Sequence, residues 1–109
     1  MPSTYKVLGQ SNPTANTLTT IYTVPSATQT VVSSITVCNQ ANTAATFSIA
    51  VRPAGESIVA KHYVNFQTGL PANDTVALTL GMTLTATDVL SANVSSSTVS
   101  INVFGSELT

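Results

Sequence analysis

The sequence predicts an all-β domain: a single antiparallel β-sandwich, immunoglobulin-like or jelly-roll-like, of roughly seven to eight strands. Three observations predict it. Thr, Val, Ile and Ser dominate the 109 residues, and the β-branched members of that set sit well on a pleated strand and poorly in a helix. Gly, Pro and Asn punctuate the chain roughly every ten residues, the spacing of short strands joined by turns. Between these turns apolar residues alternate with period two, which a helix cannot use. One domain is expected to span residues 1–109, because no linker, internal repeat or shift in composition divides the chain.

Tyr5 to Leu8 reads as a short opening strand, closed by Gly9 and the Asn12-Pro13 turn. Leu18 to Val24 follows and ends at Pro25, which cannot donate a ladder bond. From Thr30 to Cys38, Val31, Ile35 and Val37 are expected on one face and Ser34 and Thr36 on the other. Ala45 to Arg52 has the clearest pattern, with Phe47, Ile49 and Val51 alternating with Ser48, Ala50 and Arg52. Pro53-Ala54-Gly55 turns the chain. Glu56 to Ala60 reads as a loop or one helical turn before a strand from Lys61 to Phe66. Another turn, holding Pro71 and Asn73, covers Gly69 to Asp74.

Val76, Leu78, Leu80, Met82 and Leu84 are expected on one face of a long strand. Gly81 within it marks a bulge or a close backbone approach. Asp88 to Val94 is a short strand, and Ser95-Ser96-Ser97 a polar turn. The last strand, Thr98 to Phe104, places Val99, Ile101 and Val103 inward, opposite Ser100, Asn102 and Phe104.

Charge is scarce. Only 6% of the residues are Asp, Glu, Lys or Arg, against about 25% in an ordinary soluble domain. The net charge is −1, and the three bases, Lys6, Arg52 and Lys61, are far apart in sequence. Without a basic stripe no nucleic-acid partner is expected, nor an anionic membrane surface. No apolar run approaches the roughly 20 residues of a membrane-spanning helix. The first residues lack the apolar core of a secretory signal, so synthesis in a cytoplasm is expected. Cys38 is the one cysteine, which excludes an intrachain disulfide and a thiolate metal cage. It is expected to pack as a small hydrophobe.

Catalytic patterns are missing. His62 is the sole histidine, no serine lies in a G-x-S-x-G elbow, and Glu56, Asp74, Asp88 and Glu107 are scattered. Asp74 and Asp88 stand at strand starts, where the carboxylate commonly bonds nearby backbone rather than a metal. The expectation is a protein that is not an enzyme and uses no cofactor or metal.

The same scarcity is a positive clue. Sheet edges expose unpaired N–H and C=O groups, which monomeric proteins guard with Lys, Pro, bulges or inward charges. Few charges are present to guard them here, so neighbouring subunits are expected to cover the edges. Tyr5, Tyr22 and Phe104 are the candidate contact residues, with Phe104 foremost because it faces away from Val99, Ile101 and Val103. Tyr63 and Phe66 are core aromatics or further anchors. A carbohydrate-binding module is a more distant expectation, since the chain has no Trp and few aromatics.

Four segments carry a resemblance: Ile21-Tyr22-Thr23-Val24-Pro25, Val37-Cys38-Asn39, Ile49-Ala50-Val51-Arg52-Pro53-Ala54-Gly55 and Phe104-Gly105-Ser106-Glu107. In order and across nearly the whole chain, they resemble short virion structural proteins of tailed bacteriophages, those of cyanobacterial phages above all. The resemblance implies a place in the virion, either as a decoration (cement) protein of the capsid or as a tail-, baseplate-, neck- or fibre-associated module. For a decoration protein it implies the major capsid protein as partner and a homo-oligomer, often a trimer. It supplies no site motif.

Overall fold

A computed structural model describes residues 3–79 and 81–109. The strands are β1 (Ser3–Ser11), β2 (Thr19–Thr23), β3 (Gln29–Asn39), β4 (Ala45–Arg52), β5 (Tyr63–Leu70), β6 (Thr75–Leu78), β7 (Met82–Thr85), β8 (Val89–Val94) and β9 (Val99–Leu108). Two 3-10 turns, Pro53–Gly55 and Ala60–His62, lie between β4 and β5. All ladders are antiparallel.

The strand order decides between the two expected sandwiches. One sheet runs β1-β9-β3-β6, with β7 continuing beside β3, and the other runs β2-β8-β4-β5. Thus β1 pairs with β9, β2 with β8, β3 with β6 and β7, and β4 with β5. The chain is one long hairpin, its tip at residues 53–62, wrapped so that successive pairs fall in alternate sheets. That is the jelly roll. An immunoglobulin sandwich divides its strands differently.

Between the sheets the core is mostly aliphatic, with two aromatic residues, Phe47 and Tyr22. Phe47, Ile35, Ile49, Leu70, Leu90 and Ile101 are fully buried, and Val32, Val37, Val94, Val99 and Val103 fill the space among them. The alternation expected for β4 and β9 holds: Phe47 and Ile49, and Val99, Ile101 and Val103, all face inward.

Three expectations change. The first concerns β3. Its pairing with β9 shifts by one residue between Val32 and Ser34, so Ser33 is a bulge. A one-residue slip moves a side chain to the opposite face. Val31 is therefore 38% exposed on the outer face, while Val32, at 2%, takes the core position. Cys38 also lies on the outer side, half-buried, opposite Thr75 and Ser100. It does not pack in the core.

The second concerns the long strand expected from Val76 to Leu84. It is two strands, β6 and β7, that continue along the same edge of β3 with a one-residue difference in register. Gly81 stands at the break with a φ of +64°, a backbone state that glycine adopts without steric cost; the expected position of Leu80 falls outside the described residues.

Third, the edges are guarded, by bulges rather than by charge. Register shifts interrupt β1 between Val7 and Gly9, β2 between Thr20 and Tyr22, and the β4–β5 ladder twice. The β6–β7 break does the same at the remaining edge. A bulged edge bends away from a flat partner strand.

Candidate docking face

The outer face of the β1-β9-β3-β6/β7 sheet is the most unusual surface of the molecule. Its strands carry two charged residues among those described, Lys6 and Glu107. Lys6 Nζ lies 3.1 Å from Glu107 Oε1, and Glu107 Oε2 accepts the hydroxyl hydrogen of Tyr22, from the opposite sheet, at 2.5 Å. Tyr22 also shares a 2.8 Å hydrogen bond with the buried hydroxyl of Thr30. Glu107 is thus drawn into a polar bridge between the sheets, while the Lys6 side chain stays 44% exposed.

This bridge perturbs both acids. Burial first, and the Glu107 carboxylate second, push the Tyr22 phenol up to about 12. The Tyr22 hydroxyl, and after it Lys6, hold the Glu107 carboxyl below its usual range. The bridge joins residues that sequence separates by 101 (Lys6 and Glu107) and 85 (Tyr22 and Glu107) positions. The β1–β9 pairing brings Lys6 to Glu107, and the packing of the two sheets brings Tyr22 to it.

Apart from the paired Lys6, the strands of this sheet present no exposed charge among the described residues. Tyr5 is 85% exposed, Val7 and Val31 are exposed beside it, and Phe104 is half-buried in the same surface. Across the sheet Tyr5 pairs with Ser106 and Ser106 with Val31, while Val7 pairs with Phe104. A depression of about 440 Å³ is lined by Tyr5, Lys6, Val31, Ser33, Phe104 and Ser106. Gly105 forms part of its floor. A Cβ there would collide with the carbonyl oxygen of Val31 and touch Leu8 Cδ1 at 3.0 Å, so the close approach of β3 and β9 requires glycine.

Of the three expected contact residues, the structure brings Tyr5 and Phe104 to this face together. Tyr22 is a different case: it is 8% exposed and its hydroxyl is committed to Glu107 and Thr30. Inside the folded chain it has no surface to offer a partner. Val7 and Val31 were missed. The Ser33 bulge that exposes Val31 has no signature in a run of Val and Ser.

A second apolar area lies near the hairpin tip. Tyr63 and Phe66 meet edge to face with ring centres 4.9 Å apart, and with Ile58, Val59 and Val64 they wall a groove of about 660 Å³. The chemical side chains stand elsewhere. His62 is buried with both ring nitrogens occupied, by the Val59 N–H and by Glu56. Asp74 accepts the N–H of Thr75, and Asp88 accepts those of Ala54 and Thr85. Among the described residues no three His, Cys, Asp or Glu side chains gather as metal ligands. Nor is any helix among the described residues long and apolar enough to cross a membrane.

Compared with known proteins, the chain matches no family model and no curated sequence.

Proposed function

We propose that this protein is a structural component of a bacteriophage virion, a decoration protein that stabilises the head by docking onto the major capsid protein. The observation that carries the proposal is an outer face whose one exposed cation, Lys6, is paired with Glu107, and on which Tyr5, Val7 and Val31 are exposed and Phe104 half-buried. Aromatic residues are enriched and charged ones depleted at the centres of protein interfaces. Because all four edges are bulged or broken, association by faces is favoured over strand addition. A jelly roll is compatible with this role, being common in capsid domains, but hosts lectins as well, so the fold by itself carries no function. The resemblance of the four segments to phage virion proteins supplies the setting.

Attachment through a face whose one cation is already paired with Glu107 has a physical corollary. Screening acts on charges, so binding to the capsid is weakly dependent on salt, and trimeric assembly of the copies follows the pattern of such decoration proteins. Gold-labelled antibody on intact particles tests the placement. Label over the head supports it, label confined to tail, neck or fibres replaces decoration with a tail-associated role, and absence from purified particles overturns the virion assignment itself.

A further inference from the structure

The tip of the hairpin does not project into solvent. By strand alternation Ala50 and Ser91 point outward from their sheet, opposite to Ile49, Leu90 and Ala92, which belong to the core. Yet neither has any exposed surface. The two 3-10 turns of the tip pack against β4 and β8. Arg52 fastens one end: its Nε donates to Ser91 Oγ at 3.2 Å and its Nη1 to the carbonyls of Gly55 and Glu56 at 3.4 and 3.0 Å. Asp88 holds Ala54 N–H at 3.0 Å. His62 fastens the other end.

We propose that this tip is a pH-sensitive latch, closed while His62 is neutral and released when its ring is protonated. The His62 side chain is 3% exposed. Its Nδ1 accepts the N–H of Val59 at 3.1 Å, so the single ring proton sits on Nε2, which faces Glu56 Oε1 at 3.2 Å. A neutral imidazole has one donor and one acceptor nitrogen, whereas the protonated ring has two donors. Acid therefore turns Nδ1 into a donor aimed at another donor. The Val59 bond is lost, while the bond from Nε2 to Glu56 persists in both states.

Once the ring is charged, Glu56, on the tip itself, forms an ion pair with it, but at Nε2, and leaves Nδ1 without an acceptor. Arg52, from β4, is directed at the carbonyls of the tip and at Ser91. Asp88, from the turn between β7 and β8, is bonded to Ala54 and Thr85, and Lys61 is a cation next in sequence to His62. None of them accepts from Nδ1. Release is thus local: the chain around Val59 lifts while Arg52 and Asp88 keep the earlier turn in place. Ile58 and Val59 are walls of the second apolar groove, so acid opens that groove and bares the sheet beneath it. Imidazole is the side chain suited to such a device, since its charge changes near physiological pH. The latch stands on this geometry and does not depend on the virion assignment.

Nitrogen-15 NMR of the uniformly labelled chain tests it, with ring tautomer and amide exchange followed from about pH 7.5 to about pH 5, the range in which imidazoles titrate. The expected result is an Nε2–H tautomer at the neutral end. As the ring gains its second proton, the protection factor of the Val59 amide should fall by about tenfold, the loss of one hydrogen bond, while Ile101 in β9 is unchanged. In His62→Asn the side-chain carbonyl replaces Nδ1 as acceptor, and the protection of Val59 should no longer depend on pH. A neutral ring protonated on Nδ1, or Val59 protection that stays constant through the titration of the ring, overturns the proposal. The wild-type measurement decides even if the variant does not fold.

Discussion

Replacing Tyr22 with Phe removes one oxygen from the polar bridge and leaves the ring that packs against the core. The hydroxyl donates to a carboxylate at 2.5 Å, and a charge-assisted bond of this kind contributes about 1.5–3 kcal/mol. Thr30, 1% exposed, loses its 2.8 Å partner, and a buried hydroxyl left without one costs about 1–3 kcal/mol. The two terms share an atom and do not simply add, so the expected loss is about 3 kcal/mol, a large part of the roughly 5–15 kcal/mol that holds a small domain folded. Urea unfolding at neutral pH measures it.

The pH dependence identifies the cause. Glu107 has a folded value below its unfolded one, so its contribution is present above the ordinary carboxyl range and is lost as pH falls through the folded value. Tyr22 has a folded value raised from 10.0 to about 12, so its contribution is complete below the unfolded value and is lost as pH rises through the folded one. The gap between wild type and Tyr22→Phe is therefore widest between the carboxylate and phenol ranges, and it narrows in acid. Adding Thr30→Val removes the orphaned hydroxyl and recovers part of the loss. A cost below about 1 kcal/mol, less than one charge-assisted bond, or a gap that does not narrow in acid, would refute the bridge as the reason these strands hold together.

Three further outcomes follow from particular positions. Gly105→Ala drives a methyl group into the Val31 carbonyl and should cost about 2–4 kcal/mol by thermal or urea unfolding, in the range of overpacked interior sites; Gly69→Ala, where a Cβ meets nothing within 4 Å, is the matched control and should cost far less. Thr87 holds a φ of +70°, a left-handed state costly for a β-branched residue, so Thr87→Gly should raise stability by about 0.5–1 kcal/mol in the same assay. On the docking face, Tyr5→Asp alters an 85% exposed side chain and should change stability by no more than about 0.5 kcal/mol. If the face attaches the protein to capsids, the same variant should fail to sediment with particles that lack the native copies.

The residues that could be read from local pattern were those whose neighbours in sequence decide their state. Ala45 to Arg52 was expected as a strand and is one over the same residues, because alternation of Phe47, Ile49 and Val51 with small or polar partners needs no information from elsewhere. β1 and β9 are longer than expected, running from Ser3 to Ser11 and from Val99 to Leu108. Each extends where the other is available to pair with it, through residues such as Thr4 and Glu107 that carry no strand pattern of their own. The docking face was half legible: Phe104 followed from the parity of β9, while Val31 was assigned to the wrong side and Tyr22 to the surface.

Composition and periodicity alone determined an all-β chain, the position of most strands, and a surface poor in charge, since backbone preference and turn chemistry are local properties. Strand order was decided only by tertiary pairing. So was the difference between an immunoglobulin sandwich and a jelly roll, because each pair in the wrapped hairpin is closed by segments far apart in sequence. Register decided the faces: a single extra residue at Ser33 turned Val31 outward and Val32 inward, and a period of two cannot report which residue is extra. The two charges on that sheet are paired by a contact between distant parts of the chain, Lys6 with Glu107. The outer face is poor in free charge because the fold joins Glu107 to Lys6 and to Tyr22 of the other sheet.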